Sequence, residues 1–156
     1  MTSDEGEGLC EVRLVRFPLR VYARATEHYQ ELFREFALLA ASTPEDSDEV
    51  PARLMRLIDA LGRRYPPQTE HEAERAAALE RGELSGDFAI KVPPSAAEAS
   101  QALEDLLDEA DDFCRRGDLL TLAAPAEAAD FRRWYLREVI RQIAGDPPTP
   151  WPGGLH

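Results

Sequence analysis

Residues 19–41 pass without a single proline or glycine and stand directly behind Pro18. Within that stretch Val21, Ala25, Tyr29, Leu32, Phe36 and Leu39 recur at spacings of three and four. This is the period of an amphipathic helix, and Phe33 and Ala40 widen its apolar stripe. A helix of that length runs about 34 Å and cannot bury its stripe against itself. The rest of the chain therefore has to supply partner faces. Val50, Leu54, Leu57, Ile58 and Leu61 form one, behind Pro51 and up to Gly62. Ala99, Leu103, Leu106, Ala110 and Phe113 form another, opened by the capping-box pattern Ser95-Ala96-Ala97-Glu98 and closed by Gly117. Ala128, Phe131, Tyr135, Val139 and Ile143 form a third, between Pro125 and Gly145. Residues 69–81 read as a short, Ala-rich surface helix stopped by Gly82.

Three short strands complete the pattern. Residues 11–17 turn Val12, Leu14 and Phe17 inward, 88–92 end at Pro93, and 119–123 are too short for a helix between Gly117 and Pro125. If the second and third share a sheet, they should be parallel with a right-handed crossover. The expected fold is α+β and predominantly helical, with about five helices packed on three short strands. Residues 1–10 read as a disordered acidic tail, 11–145 as a single globular domain and 146–156 as a Pro-rich extended tail. A shift of about 74 residues lays Leu32-Phe33 on Leu106-Leu107 and Pro51 on Pro125. Halves 11–64 and 87–145 thus read as a strand–helix–helix unit used twice, although any two strand–Pro–helix segments align comparably well.

The whole chain has 156 residues, enough to bury roughly 68–70% of its unfolded surface without a metal or disulfide staple. Its formal charge of −12 disfavours nucleic-acid binding, which needs clustered basic residues. No apolar run is long enough to span a bilayer, and the acidic residues 1–8 do not read as a signal peptide. Two cysteines, Cys10 and Cys114, fit a reducing cytoplasm. The chain has no Asn and a single lysine, Lys91, which no glycine pattern precedes. That removes a P-loop, a kinase catalytic loop and Cys-His-Asn chemistry. His28, His71 and His156 are scattered without zinc spacing, and Cys114 lies on an apolar stripe. No catalytic, cofactor-binding or metal-ligating set is expected.

Two charge patterns remain. Glu104, Asp105, Asp108, Glu109, Asp111 and Asp112 crowd one helix. They read as a solvated or Arg-paired face in preference to a hard-cation site, because one helix cannot wrap a cation. Arg133, Arg137 and Arg141 repeat every four residues, flanked by Arg132. Like charges at that spacing repel. Either the acidic helix faces them as a salt-bridge seam, or an anion or partner does. Tyr135 is expected on the core face, Trp134 is expected either as a contact residue or packed under the proline-rich tail, and Trp151 is expected to dock on the body from that tail. Arg132, Arg133, Trp134, Arg137, Arg141 and Trp151 are therefore the candidate partner- or anion-binding residues.

The segments Val12-Arg13-Leu14-Val15-Arg16-Phe17-Pro18, Leu32-Phe33-Arg34-Glu35-Phe36-Ala37-Leu38-Leu39 and Phe131-Arg132-Arg133-Trp134-Tyr135-Leu136 carry a resemblance across most of the chain. So do 106–114 and 118–123. Together they resemble a group of small acidic actinobacterial proteins associated with ATP-binding anti-sigma factors and their phosphatase and antagonist partners. The resemblance implies a non-enzymatic cytoplasmic regulator that binds a protein partner, such as a transcription regulator, in a sigma/anti-sigma switching system. It implies no catalytic residue. The absent Asn argues against a nucleotide site of the kind those anti-sigma factors use. The residues leave self-association open. They also leave open an anion-binding or enzymatic domain, with its site between the helices and the strand ends, near Arg132 and Arg133.

Overall fold

The computed structural model describes residues 8–42, 44, 47–65, 69–117 and 123–156. The described elements run β1 (Cys10–Pro18), α1 (Leu19–Ala41), α2 (Val50–Arg64), α3 (Thr69–Glu80), β2 (Ser85–Val92), α4 (Ala96–Arg116) and α5 (Ala126–Ile143). The fold is α+β and mostly helical. Among the described residues the sheet has two strands, β1 and β2, paired antiparallel. The described residues thus hold two strands where three were expected, and the conditional pairing of 88–92 with 119–123 falls on residues outside them. Residues 119–122 of the expected third strand lie outside the described residues, and Ala123 belongs to no strand. β2 finds its partner in β1, whose apolar positions already match it.

Val12, Leu14 and Phe17 are all fully buried, though strict alternation would turn Phe17 outward. The register shifts between Leu14 and Phe17, where Arg16 takes a φ of 57°. This bulge adds one residue to β1 and returns Phe17 to the inner face. It also aims Arg16 outward, where its backbone N–H donates to Asp87 at 2.9 Å.

Two apolar clusters fill the interior. One is aromatic and joins the sheet to α1, α3, α5 and Trp151, with Phe17 at its centre. Phe17 meets Phe88 and Phe131 edge-on, each at 5.4 Å between ring centroids. The other is largely aliphatic and lies between α1, α2 and α4, around Leu32, Phe36, Leu54, Leu106 and Leu107.

Four local expectations change. α2 runs through Gly62 to Arg64, because Leu54 holds it in the core and Gly62 has open space around it. α3 is not confined to the surface, since its Ala78 is buried and so is Arg75. On α5 Tyr135 is only partly buried instead of core, while Trp134 is as buried as Phe131 because it packs under the C-terminal segment, one of its two expected placements. Ser95 makes no capping bond to its helix, and its hydroxyl instead meets the Tyr65 hydroxyl at 2.9 Å.

Candidate functional site

The C-terminal segment folds back along α5 and is held by backbone and buried side chains. Gly145, at φ 105°, stops the helix. There its N–H donates to the Gln142 carbonyl and the Asp146 N–H to that of Arg141. Glu138, 3% exposed, then acts as the anchor. Its carboxylate accepts the Thr149 N–H at 2.8 Å, the Gln142 amide at 3.0 Å and the Arg141 guanidinium at 2.7 Å. The Trp134 indole N–H donates to the Thr149 carbonyl at 3.0 Å. Trp151, 4% exposed, packs edge-on against Trp134 with centroids 5.6 Å apart.

The β1 bulge receives the same segment. The Trp151 N–H donates to the Val15 carbonyl at 3.0 Å. The Arg16 guanidinium donates to the carbonyls of Trp151 and Gly153 at 2.7 and 2.8 Å. Gly153 lies so close to the indole that a Cβ there would sit 2.6 Å from it, so only glycine fits. Farther along β1, the Gln142 amide accepts from the Arg13 N–H and donates to the Arg13 carbonyl, at 2.8 and 2.9 Å. The outer edge of β1 is thereby capped, which removes a free edge that could pair with another chain.

Between α5 and this segment lies an open groove of about 700 Å³. Its walls include Trp134, Trp151, Arg133, Arg137 and Arg141, five of the six residues singled out in the sequence. Arg141 is engaged by Glu138 and donates to the Pro147 carbonyl. Arg133 reaches Glu104, Asp108 and Asp130 at 3.5–3.6 Å while remaining 43% exposed. Arg137 is exposed and makes no ion pair among the described residues.

The sixth residue, Arg132, turns to the opposite side of α5, and the seam forms there. Its guanidinium, 4% exposed, pairs with Glu104, Asp108 and Asp111 on α4 and donates to the Tyr29 hydroxyl at 3.2 Å. Glu104, Asp108 and Asp111 lie at spacings of four and three, so one helix face presents all three carboxylates. Burial works against the Arg132 charge, but the surrounding Tyr29 and Glu104 oxygens outweigh it and raise its pKa further. Burial pushes the Tyr29 phenol up to about 12. Asp111 also accepts the Ala124 N–H, tying the α4–α5 connection to the seam. The arginine stripe thus splits, with Arg132 and Arg133 on the acidic helix, Arg141 on the tail anchor and Arg137 exposed in the groove.

The same structure buries Cys114 as its apolar stripe predicts, and it adds residues that the sequence did not single out. Burial, with Asp111 adding to it, pushes the Cys114 thiol up to about 11, which makes it a poor nucleophile. Glu138 and Arg16 were not singled out in the sequence. Their signal is faint, because a carboxylate on a helix and an arginine in a strand look solvent-facing until the tail is placed over them. Arg75 was hidden by the low apolar content of α3.

Among the described residues no group of three His, Cys, Asp or Glu side chains is arranged to hold a metal ion, and no helix is long and apolar enough to cross a membrane. Compared with known proteins, the chain matches no family model, no curated protein and no solved structure.

Proposed function

We propose that this chain is a non-enzymatic regulatory protein that binds a protein partner through the groove between α5 and the C-terminal segment. The observation that carries the reading is that the groove is built in advance. Glu138, Arg16, Trp134 and Trp151 all anchor the segment, while Arg137 is left exposed between its walls. A preorganised wall loses little entropy when a partner settles on it. Its four prolines, at 147, 148, 150 and 152, further narrow the conformations the segment loses on ordering. Indole walls beside the exposed Arg137 guanidinium suit a partner segment that presents a carboxylate next to apolar side chains. The overall charge of −12 makes association with a basic surface elsewhere on the same partner favourable at low salt.

The sigma/anti-sigma setting rests on the sequence resemblance, and the cytoplasmic location on that resemblance and the cysteine usage. The test is a titration of the purified chain against the anti-sigma factor and the antagonist protein encoded by its own genome. One of the two should bind, and Arg137→Glu should weaken that binding about tenfold, equivalent to ~1.4 kcal/mol. Absence of binding to both rejects the setting. Binding that Arg137→Glu leaves intact rejects the groove.

A further inference from the structure

A second cavity, of about 360 Å³, opens on the far side of α5, where α1, α3 and α4 meet it. Its volume lies within the range of small-molecule sites. Tyr22, Tyr29 and Phe131 form aromatic walls, and Leu103 and Leu136 add aliphatic ones. Two arginines border it, Arg132 and Arg75. Arg132 already faces three carboxylates and has no charge to offer.

Arg75 is different. It is 7% exposed, and its guanidinium stacks over Phe17, Tyr22 and Phe88 at 5.1, 5.3 and 5.9 Å from the ring centroids. Its contact to the Tyr22 hydroxyl is long, at 3.5 Å. Its Nε is buried with no hydrogen-bond partner, and it forms no ion pair among the described residues. Stacking on rings offsets only part of the lost hydration of a guanidinium. Buried charges in proteins are otherwise paired. Tyr22 and Tyr135 line the same cavity. Burial raises the Tyr135 pKa, while the Arg75 charge and a side-chain hydrogen bond from Arg75 pull it part of the way back, so the phenol stays protonated beside Arg75 with its O–H available to donate.

We propose that this cavity binds a small organic monoanion, a carboxylate carrying an aromatic or acyl body. The carboxylate meets Arg75 and the Tyr22 and Tyr135 hydroxyls, and the body lies along Phe131, Leu103 and Leu136. One unpaired cation accommodates one negative charge, and the carboxylates around Arg132 repel a second charge at the other end. The apolar walls favour an anion with a body over a strongly hydrated inorganic ion. The site goes beyond the partner-binding reading and uses no residue of the groove.

The test uses the full chain, thermal unfolding, and benzoate and octanoate as probes, with benzamide and octanamide as neutral counterparts and inorganic phosphate as the bare anion. At about ten times its dissociation constant, one of the carboxylates should raise the melting temperature by roughly 3–6 °C. The amides and phosphate should give no rise. Arg75→Met should abolish the response and leave the ligand-free melting temperature equal or higher, since it removes an unpaired buried charge. Thr26 of α1 also lines the cavity; Thr26→Phe, which fills it and leaves Arg75 in place, should abolish the response as well, and it decides the matter if Arg75→Met does not fold. The proposal is overturned if neither carboxylate gives a rise, if the amides or phosphate act equally, or if the response survives either variant.

Discussion

Arg132 and Arg75 are buried to nearly the same extent, at 5% and 7% exposure, and both border one cavity, yet their surroundings are opposite. Arg132 lies against a helix face that presents Glu104, Asp108 and Asp111, and it clamps α5 onto α4. Arg75 lies against the aromatic inner face of the sheet and finds rings instead of carboxylates. The contrast teaches that burial of a guanidinium does not by itself say what it is for. A guanidinium surrounded by acids closes a structure, whereas one surrounded by rings and hydroxyls is a half-built anion site.

The largest expected effect comes from breaking the closed half of this pair. Arg132→Met strands Asp111, 5% exposed, without its cation and leaves Glu104, 14% exposed, only the longer 3.6 Å contact to Arg133. Removing one partner of a buried pair costs about 3–5 kcal/mol. For a chain of this size that lowers the melting temperature by roughly 6–20 °C. A loss below ~1 kcal/mol in a thermal melt followed by circular dichroism would mean that Arg132 is not a clamp.

Next in size is Trp151→Ala. The indole packs on Phe131, with centroids 6.0 Å apart, and Phe131 lines the cavity that both arginines border. A loss of about 2–4 kcal/mol is expected from burial of the ring. Deleting the chain from Pro147 onward should give nearly the same loss. If denaturant titration finds both variants as stable as the parent, the docked segment contributes nothing to the aromatic core.

A pH dependence separates the two arginine environments further. The Tyr29 phenol, bonded to Arg132, has a folded pKa of about 12 against an unfolded value near 10. A raised pKa means that the stabilisation is complete below pH 10 and is lost as the pH rises from 10 to 12. Tyr29→Phe should flatten the fall of the urea midpoint across that window. An unchanged slope would show that Tyr29 is not the group responsible.

The smallest effect is expected at His28, whose Nε2 is buried without a hydrogen-bond partner. Burial lowers its pKa below 6.5, and Asp111 pulls it part of the way back. The unfolded chain then takes up the proton first, so stability is greatest above pH 6.5 and falls as the pH drops through that value. His28→Gln should reduce the difference in melting temperature between pH 7.5 and pH 5.5. A difference that stays the same would assign the acid sensitivity to other groups.

Much of the helical framework is legible in the sequence. Pro18 and Ser42 bracket α1 as its apolar period predicts, and Gly117 and Gly145 close α4 and α5. These features are local. A proline removes a donor, a terminal glycine accepts a left-handed backbone, and a three–four spacing places apolar side chains on one face. The site was less legible. The arginine stripe on α5 was visible as a repeat, but not its division between Arg132 in the seam and Arg137 in the groove. That division depends on which side of α5 meets α4 and which side meets the C-terminal segment.

By itself the sequence determined the spans of α1, α4 and α5, the mostly helical α+β class, the acidic character of α4 and the apolar character of Trp151. Each follows from residues within a few turns of one another. Only the tertiary structure decided that β1 pairs antiparallel with β2, that a bulge at Arg16 turns Phe17 inward, that Glu138 anchors Thr149, and that Arg75 is buried beside a cavity. The physical reason is range. Backbone preferences act between neighbours, whereas the environment of a charged side chain is set by whichever distant surface the packed core brings against it.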